Sequence, residues 1–260
     1  MSDTDAQQPE EQTEQAPQPH PWESLTAEHF QLLRLAPLPA DRMTGLRPLR
    51  FVRLGRAERH SDEQSLLRLA VEVPGQRLRR EQNLLEVWAD HRSREIRFGP
   101  DKGLQTEPTN RGLGRFLIAQ GIAWSRQRWG SYTVEGGTLA VKDVLSEDAR
   151  LLRDHVLRIQ GFEVVYQDLA QLKASYSASR VSVLNPEWNQ EKVQMIDLLD
   201  CGAMLQQADQ NLHEQQVKIG KLEHRVEMLK REDSGLRFTI ACLVALTLFQ
   251  AGLLIWIATR

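Results

Sequence analysis

The residues with the clearest chemical promise lie in the run Glu-Pro-Thr-Asn-Arg-Gly-Leu-Gly-Arg-Phe-Leu-Ile, which starts at Glu107. Gly112 and Gly114 stand one residue apart, after a proline and at the mouth of an apolar-periodic segment that reads as a helix over 113–128. The first N–H groups of a helix have no intrahelical partner, and the helix dipole adds partial positive charge there, so an anion fits such a place. Glycine lets the backbone approach a pyrophosphate without Cβ atoms in the way. Arg111 and Arg115 would add charge-assisted hydrogen bonds. The same spacing also serves a loop that only turns into a helix, and the pattern by itself leaves both readings open.

Other chemistry is sparse. Cys201 and Cys242 are too few for a disulfide framework or a zinc site of their own, and the seven histidines show no ligand spacing, so no metal centre is expected. No Ser-His-Asp or Cys-His arrangement offers a nucleophile. The 33 basic and 35 acidic residues give a net charge of −2 with the basic ones spread along the chain, which argues against a nucleic-acid binder.

The elements that must position the glycine loop follow from periodicity. Alternation marks a strand over 65–74, with Leu67, Leu69, Val71 and Val73 on one face. Two more strands, 84–90 and 94–98, form a hairpin around His91, Arg92 and Ser93, and an earlier strand is expected over 49–54. The helix over 113–128 turns Leu113, Phe116, Leu117 and Trp124 inward, and Gly130 ends it. A strand over 132–141 is interrupted by Gly136 and Gly137. A helix over 146–160 follows, capped by Ser146 and burying Ala149, Leu152, Val156 and Ile159, with Gly161 closing it. Strands over 162–166 and 180–184 complete an α/β domain whose helices cover a mostly antiparallel sheet.

The two ends of the chain have different compositions. Residues 1–22 are polar and acidic with almost nothing apolar, a disordered arm and not a signal peptide. From about 187 the pattern becomes heptad. Leu198, Leu205, Leu212, Ile219 and Val226 fall at a, and Cys201, Ala208, Gln215, Leu222 and Leu229 at d. The expected partner is a second copy, in a parallel homodimer over 198–229 with Lys218 facing Glu223 across strands; a helix folding back on the domain is the alternative. The segment 238–258, from Phe238 to Ala258, carries no charge. As a helix its roughly 21 residues span about 31 Å, matching a ~30 Å hydrocarbon core.

Lys230, Arg231 and Arg237 precede that segment, and only Thr259 and Arg260 follow it. These features predict a single-pass tail anchor at the cytoplasmic face of the inner (plasma) membrane, with the N-terminus in the cytoplasm and Ser234-Gly235 as a flexible joint. The expected division is an arm over 1–22, a domain over 23–186, a coil over 187–235 and an anchor over 236–260.

Two junctions carry a family resemblance. The run Thr109-Asn110-Arg111-Gly112-Leu113-Gly114-Arg115, leading into Phe116, and the run Gln160-Gly161-Phe162-Glu163-Val164-Val165 at the end of a later helix, resemble the GNAT acetyltransferase superfamily over about residues 45–185. In that family a fourth strand leads into a pyrophosphate loop, Gln/Arg-x-x-Gly-x-Gly/Ala, at the start of the third helix. The resemblance implies a GNAT-like fold and acetyl-CoA or another acyl-CoA as substrate, held by Thr109, Asn110, Arg111, Gly112, Leu113, Gly114 and Arg115. It also implies a splay between the fourth and fifth strands that offers a backbone N–H to the acyl carbonyl. A carboxylate takes the proton of the acceptor amine, and Glu135 is the best-placed candidate, ahead of Glu86 and Glu95. His155 falls on the solvent side of its helix and is not cast as the base.

The chain departs from the family at three places. Thr109 stands where the loop has Gln or Arg, with Arg111 as the substitute. Leu157 stands where a tyrosine often serves as general acid. Only residues 56–65 separate two strands between which the family places two helices, so either 30–38 is the true first strand or the acceptor region is reduced. The expected function is a membrane-tethered GNAT-like N-acyltransferase acting on an amine that the sequence does not identify. The alternative is a catalytically silent GNAT-fold binding or scaffold module, dimerised at the cytoplasmic membrane face.

Overall fold

The computed structural model describes residues 22, 25–40, 45–77, 79, 81–100, 103–139, 147–166 and 174–260. The chain divides into two compact units, Met1–Asp197 and Leu198–Arg260. The first unit runs β1 (His29–Leu35), β2 (Arg50–His60), β3 (Gln64–Glu72), β4 (Leu84–Asp90), β5 (Glu95–Gly99), α1 (Leu113–Trp129), β6 (Thr133–Thr138), α2 (Glu147–Ile159), β7 (Glu163–Tyr166), β8 (Ala174–Ala178) and β9 (Val193–Ile196). The second unit is one helix, α3 (Leu198–Thr259). Among the described residues this is an α/β protein with a mixed nine-stranded sheet and three helices.

The strand order is β7-β8-β6-β5-β4-β3-β2-β1-β9. Neighbours pair antiparallel throughout except β5 and β6, which pair parallel. A parallel pair cannot be joined by a hairpin, and α1 supplies the crossover. Strand alternation gives α1 its bed: Leu54, Leu69, Leu85, Val87, Ile96 and Phe98 are all buried. On the helix, Phe116, Leu117 and Ile122 are fully buried, each contributing about 1.5–3 kcal/mol. The helix comes so close that a Cβ at Gly121 would fall 2.8 Å from Val87 and 3.1 Å from Phe98. The opposite face of the sheet carries Arg68, Glu86, Trp88, Arg97 and Glu135, because successive strand residues point to opposite sides. Across that face the chain before β1 lays Ala27 against Gly55, stacks Trp22 on Trp88 and accepts an Arg68 hydrogen bond at the Leu25 carbonyl.

The structure differs from the sequence reading at several points. The alternation at 180–184 predicts a strand, but Val181–Val183 is a 3₁₀ turn. Its buried Val181 docks on the residues that follow α1, with Val181 N–H bonded to Tyr132 O and Ser182 N–H to Gly130 O. The strand of that region is β8, whose Ala174, Tyr176 and Ala178 alternate with two serines, a short run with only small apolar residues beside the tyrosine to announce it. Both β1 and β2 exist, and β3 follows β2 after a three-residue turn, so no helix pair separates them. The α2 stripe is rotated: Leu152 is 48% and Ile159 37% exposed, while Asp154, Leu157 and Gln160 are buried. The side chain of Ala149, the Ser146 cap and residues 1–21 of the expected 1–22 arm lie outside the described residues.

The first unit reaches Asp197, beyond the 186 boundary, because β9 pairs with β1. The long helix therefore starts at Leu198 instead of 187. It also runs without interruption through 234 and 235, so the expected joint is helical. Glycine at one position weakens a helix by about 1 kcal/mol and does not by itself break it. At 62 residues α3 is about 93 Å long. It is the one described helix long and apolar enough to cross a membrane, with a mean hydropathy of 2.3 in its most apolar stretch.

The far end of α1 is tied to the sheet through Glu58, which accepts hydrogen bonds from Trp124 Nε1 at 2.9 Å and Arg128 at 3.2 Å and is paired with Arg56. Burial pushes the Glu58 carboxyl up, but the bonds from Trp124 and Arg56 and the charges of Arg56 and Arg128 outweigh it and hold it at about 2. A depressed carboxylate stabilises the fold above its unfolded value near 4.5, and that contribution fades as pH falls towards about 2. Glu58→Gln is expected to lose about 1–2 kcal/mol at neutral pH, allowing for solvent screening, with the difference from wild type shrinking below pH 4.5. Urea unfolding at stepped pH measures this, and a difference that does not change with pH would refute it.

Candidate functional site

The glycine loop sits where α1 begins. Gly112 is the N-cap, with φ +82°, a left-handed conformation that glycine adopts without strain. Asn110, at φ +54°, is also left-handed. The first bond of α1 runs from Phe116 N–H to Gly112 O at 3.0 Å, so the N–H groups of Leu113, Gly114 and Arg115 precede the helical ladder. Gly112 and Gly114 are partly exposed, Leu113 is buried in the core, and Thr109 is exposed.

The loop is held from below by a buried asparagine that the sequence reading did not single out. Asn83 is fully buried. Its Nδ2 donates to Glu107 O at 2.7 Å and Val71 O at 3.2 Å, and its Oδ1 accepts from Glu107 N–H at 2.6 Å. Its own N–H donates to Gln105 O at 2.8 Å. One side chain thus fixes the strand-to-loop passage against the sheet.

Arg111 does not serve as a phosphate contact. It is 2% exposed and turns inward, donating to Ala36 O at 2.8 Å and Pro48 O at 2.6 Å, with Nε unpartnered. Burial pushes its guanidinium below the usual value, and the charges of Arg50 and Arg47 add to this. Arg115 stays at the surface, its Nε 3.3 Å from Glu187 O. A cation the sequence reading missed takes the place beside the cap: the exposed Lys192 has Cβ and Cδ 3.8 Å from where a Gly112 Cβ would lie. Only the pairing of β9 with β1 brings it there, about eighty residues along the chain. Trp188 helps fix that segment, packing edge-on to Phe116 at 5.4 Å and donating to Val193 O at 3.0 Å.

Beyond the loop, β5 and β6 pair at only two positions, Glu95 with Thr133 and Ile96 with Val134, and then part. The register of β6 against β8 also shifts between Val134 and Gly137, so Glu135 and Gly136 lie at an irregularity. Tyr176 bridges the opening. Its hydroxyl donates to Phe98 O at 2.8 Å, and its ring lies so close to Gly137 that a Cβ there would be 2.6 Å away. Glu135 is half exposed with Arg97 4.0 Å away, and both line a cleft of about 630 Å³ on the sheet face opposite α1, together with Arg68, Glu86, Trp88 and Glu95. The structure therefore gathers Glu135, Glu86 and Glu95 into one cleft, and residues 109–115 into one loop on the other face. Leu157 is 5% exposed in the core, and His155 is exposed.

The fold and these features define an α/β protein with a helix of membrane-spanning length. Compared with known proteins, the chain matches no family model, no curated protein and no solved structure.

Replacing Asn83 by alanine leaves Glu107 N–H and two carbonyls without their partner. It is expected to destabilise the first unit by about 2–3 kcal/mol and to speed amide exchange at 105–115 more than elsewhere. Hydrogen exchange with mass spectrometry checks the second part; exchange raised evenly over the unit would show that Asn83 has no special hold on the loop.

Proposed function

We propose that the first unit is a GNAT-like domain that binds acyl-CoA and transfers its acyl group to an amine, and that α3 tethers it to a membrane. The observation that carries this reading is the left-handed glycine cap of α1, with three N–H groups ahead of the helical ladder, on a crossover between two strands that part beyond their second pair. The crossover helix, the Gly-Phe junction after α2 and the parting of β5 from β6 support the reading, while the absence of a helix pair between β2 and β3 departs from the family. The glycine cap fits a pyrophosphate, the N–H groups of 113–115 would hold it, and Arg115 and Lys192 would add charge. Arg111 fits only as a buried support of the loop.

When bound, acyl-CoA would supply the acyl group as a thioester. Glu135 would take the proton of an amine entering through the cleft, where Arg97 keeps the carboxylate directed. Membrane attachment is proposed through 238–258, with the first unit on the cytoplasmic face, and dimerisation through the heptad positions of 198–229. Two observations favour the silent alternative: Leu157 is buried and offers no proton to a departing thiolate, and Tyr176 already bridges the splay.

Titration of acetyl-CoA into the full chain in detergent micelles tests the site. Wild type is expected to bind at micromolar concentration, and Gly112→Val to bind about tenfold more weakly or worse, ~1.4 kcal/mol, because a β-branched residue is strained at φ +82°. Equal binding by Gly112→Val would move the site elsewhere. Binding without turnover on any amine would leave the scaffold reading.

The parallel dimer has its own test. Cys201 falls at a d position, where two strands in register bring equivalent side chains together. In a Cys242→Ser background, mild oxidation of membrane-inserted protein is expected to give a covalent dimer through Cys201. Failure to cross-link would exclude the parallel register.

A further inference from the structure

At the C-terminal end of α1, away from the glycine loop, four elements meet around two histidines and a buried serine. Ser65, at the start of β3, is 1% exposed. Its Oγ lies 2.9 Å from His60 Nδ1 and 2.9 Å from His91 Nε2. His91 Nδ1 is 3.3 Å from the Tyr132 hydroxyl, and His60 Nε2 is 2.7 Å from Arg128 Nη1. Each ring has an aromatic neighbour: the exposed His60 stacks on Trp124 at 6.1 Å, and His91 lies 5.1 Å from Trp129.

The donors and acceptors allow one assignment when both rings are neutral. A guanidinium only donates, so His60 Nε2 must accept from Arg128 and its ring hydrogen sits on Nδ1. Nδ1 then donates to Ser65 Oγ, Ser65 donates to His91 Nε2, and His91 Nδ1–H points to Tyr132. Every link runs in the same direction, from α1 through β2, β3 and the β4–β5 turn to the residues after the helix. Protonating His60 on Nε2 destroys the first link, because two donors then face each other. The same nitrogen lies 3.4 Å from Glu58 Oε2, the carboxylate that Arg128 also uses at 3.2 Å.

We propose that His60 is a proton-operated switch: neutral, it joins Arg128 to the Ser65–His91–Tyr132 chain; protonated, it takes Glu58 from Arg128 and loosens the C-terminal end of α1. The charged and titratable groups facing it are Glu58 and Arg56 from β2, Arg128 from α1, His91 from the β4–β5 turn and Tyr132 beyond the helix. Glu58, held down at about 2, stays ionised throughout the range in which a histidine changes charge, so it is a constant acceptor for the protonated ring. The switch acts on α1 whatever the opposite end of the helix binds, so it stands independently of the proposed acyl transfer.

Tryptophan emission and thermal unfolding of the full chain in detergent micelles, followed from about pH 8 to pH 5, test the proposal. Protonated imidazole beside Trp124 and Trp129 is expected to quench emission; with Trp129→Phe in every variant, so that His91 has no indole 5.1 Å away, the remaining transition reports on Trp124 and His60. In that background His60→Gln, which cannot take up the proton, is expected to remove the transition. Arg128→Met, which no longer opposes protonation, is expected to move its midpoint up by about one pH unit, a tenfold easier uptake. Glu58→Gln is expected to move it down. A transition that persists in His60→Gln, or a midpoint unmoved in both Arg128→Met and Glu58→Gln, overturns the proposal.

Discussion

The close approach of α1 to the sheet at Gly121 is the constraint on which the rest of the first unit depends. A parallel β5–β6 pair needs a crossover, and a crossover helix is useful only if it lies flat on the strands it connects. Gly121 permits this, because any side chain there would collide with Val87 and Phe98. At 17 residues the helix is about 25 Å long, and clamping its middle fixes both ends against different parts of the sheet. One end carries the glycine cap and its unpaired N–H groups. The other carries Trp124, Arg128 and Trp129, which reach the end of β2 and the turn after β4.

The glycine end owes its shape to buried polar groups as much as to the glycines. Arg111 is desolvated without a carboxylate partner, an expensive arrangement that two backbone carbonyls partly offset. Asn83 does the same work from the sheet side with a neutral amide. Together they hold the chain entering α1. The opposite face of the sheet is shaped differently, by charges left uncovered where strands β5 and β6 part.

The second unit is simpler and its chemistry changes along one continuous helix. Its earlier half carries charged residues around a stripe of Leu, Ile and Val that is exposed in the single chain. Its later half is apolar on every side, the composition of a helix that loses nothing by entering lipid. The two halves join without a break at 235.

Strands β3 to β5, the first half of β2 and helix α1 were legible from the sequence, because each buries one face and carries its period in the order of its residues; the second half of β2, 56–60, was read as a connection. The glycine loop was legible for the same local reason, since a left-handed cap demands glycine at 112. The apolar segment at 238–258 needed only its composition. What the sequence could not give were features set by residues far apart along the chain. Strand β8 alternates only alanine and one tyrosine with serine, too weak a run to stand out, while Val181 and Val183 alternate like a strand and form a 3₁₀ turn against the end of α1. The buried face of α2 was decided by which groove it met, and Asp154 went in where Leu152 did not. Arg111 turned inward to the carbonyls of Ala36 and Pro48, in the connection between β1 and β2, and Lys192 reached Gly112 only through the pairing of β9 with β1. Local periodicity writes itself into sequence; partner choice between distant segments is settled by packing, and there only the tertiary structure decides.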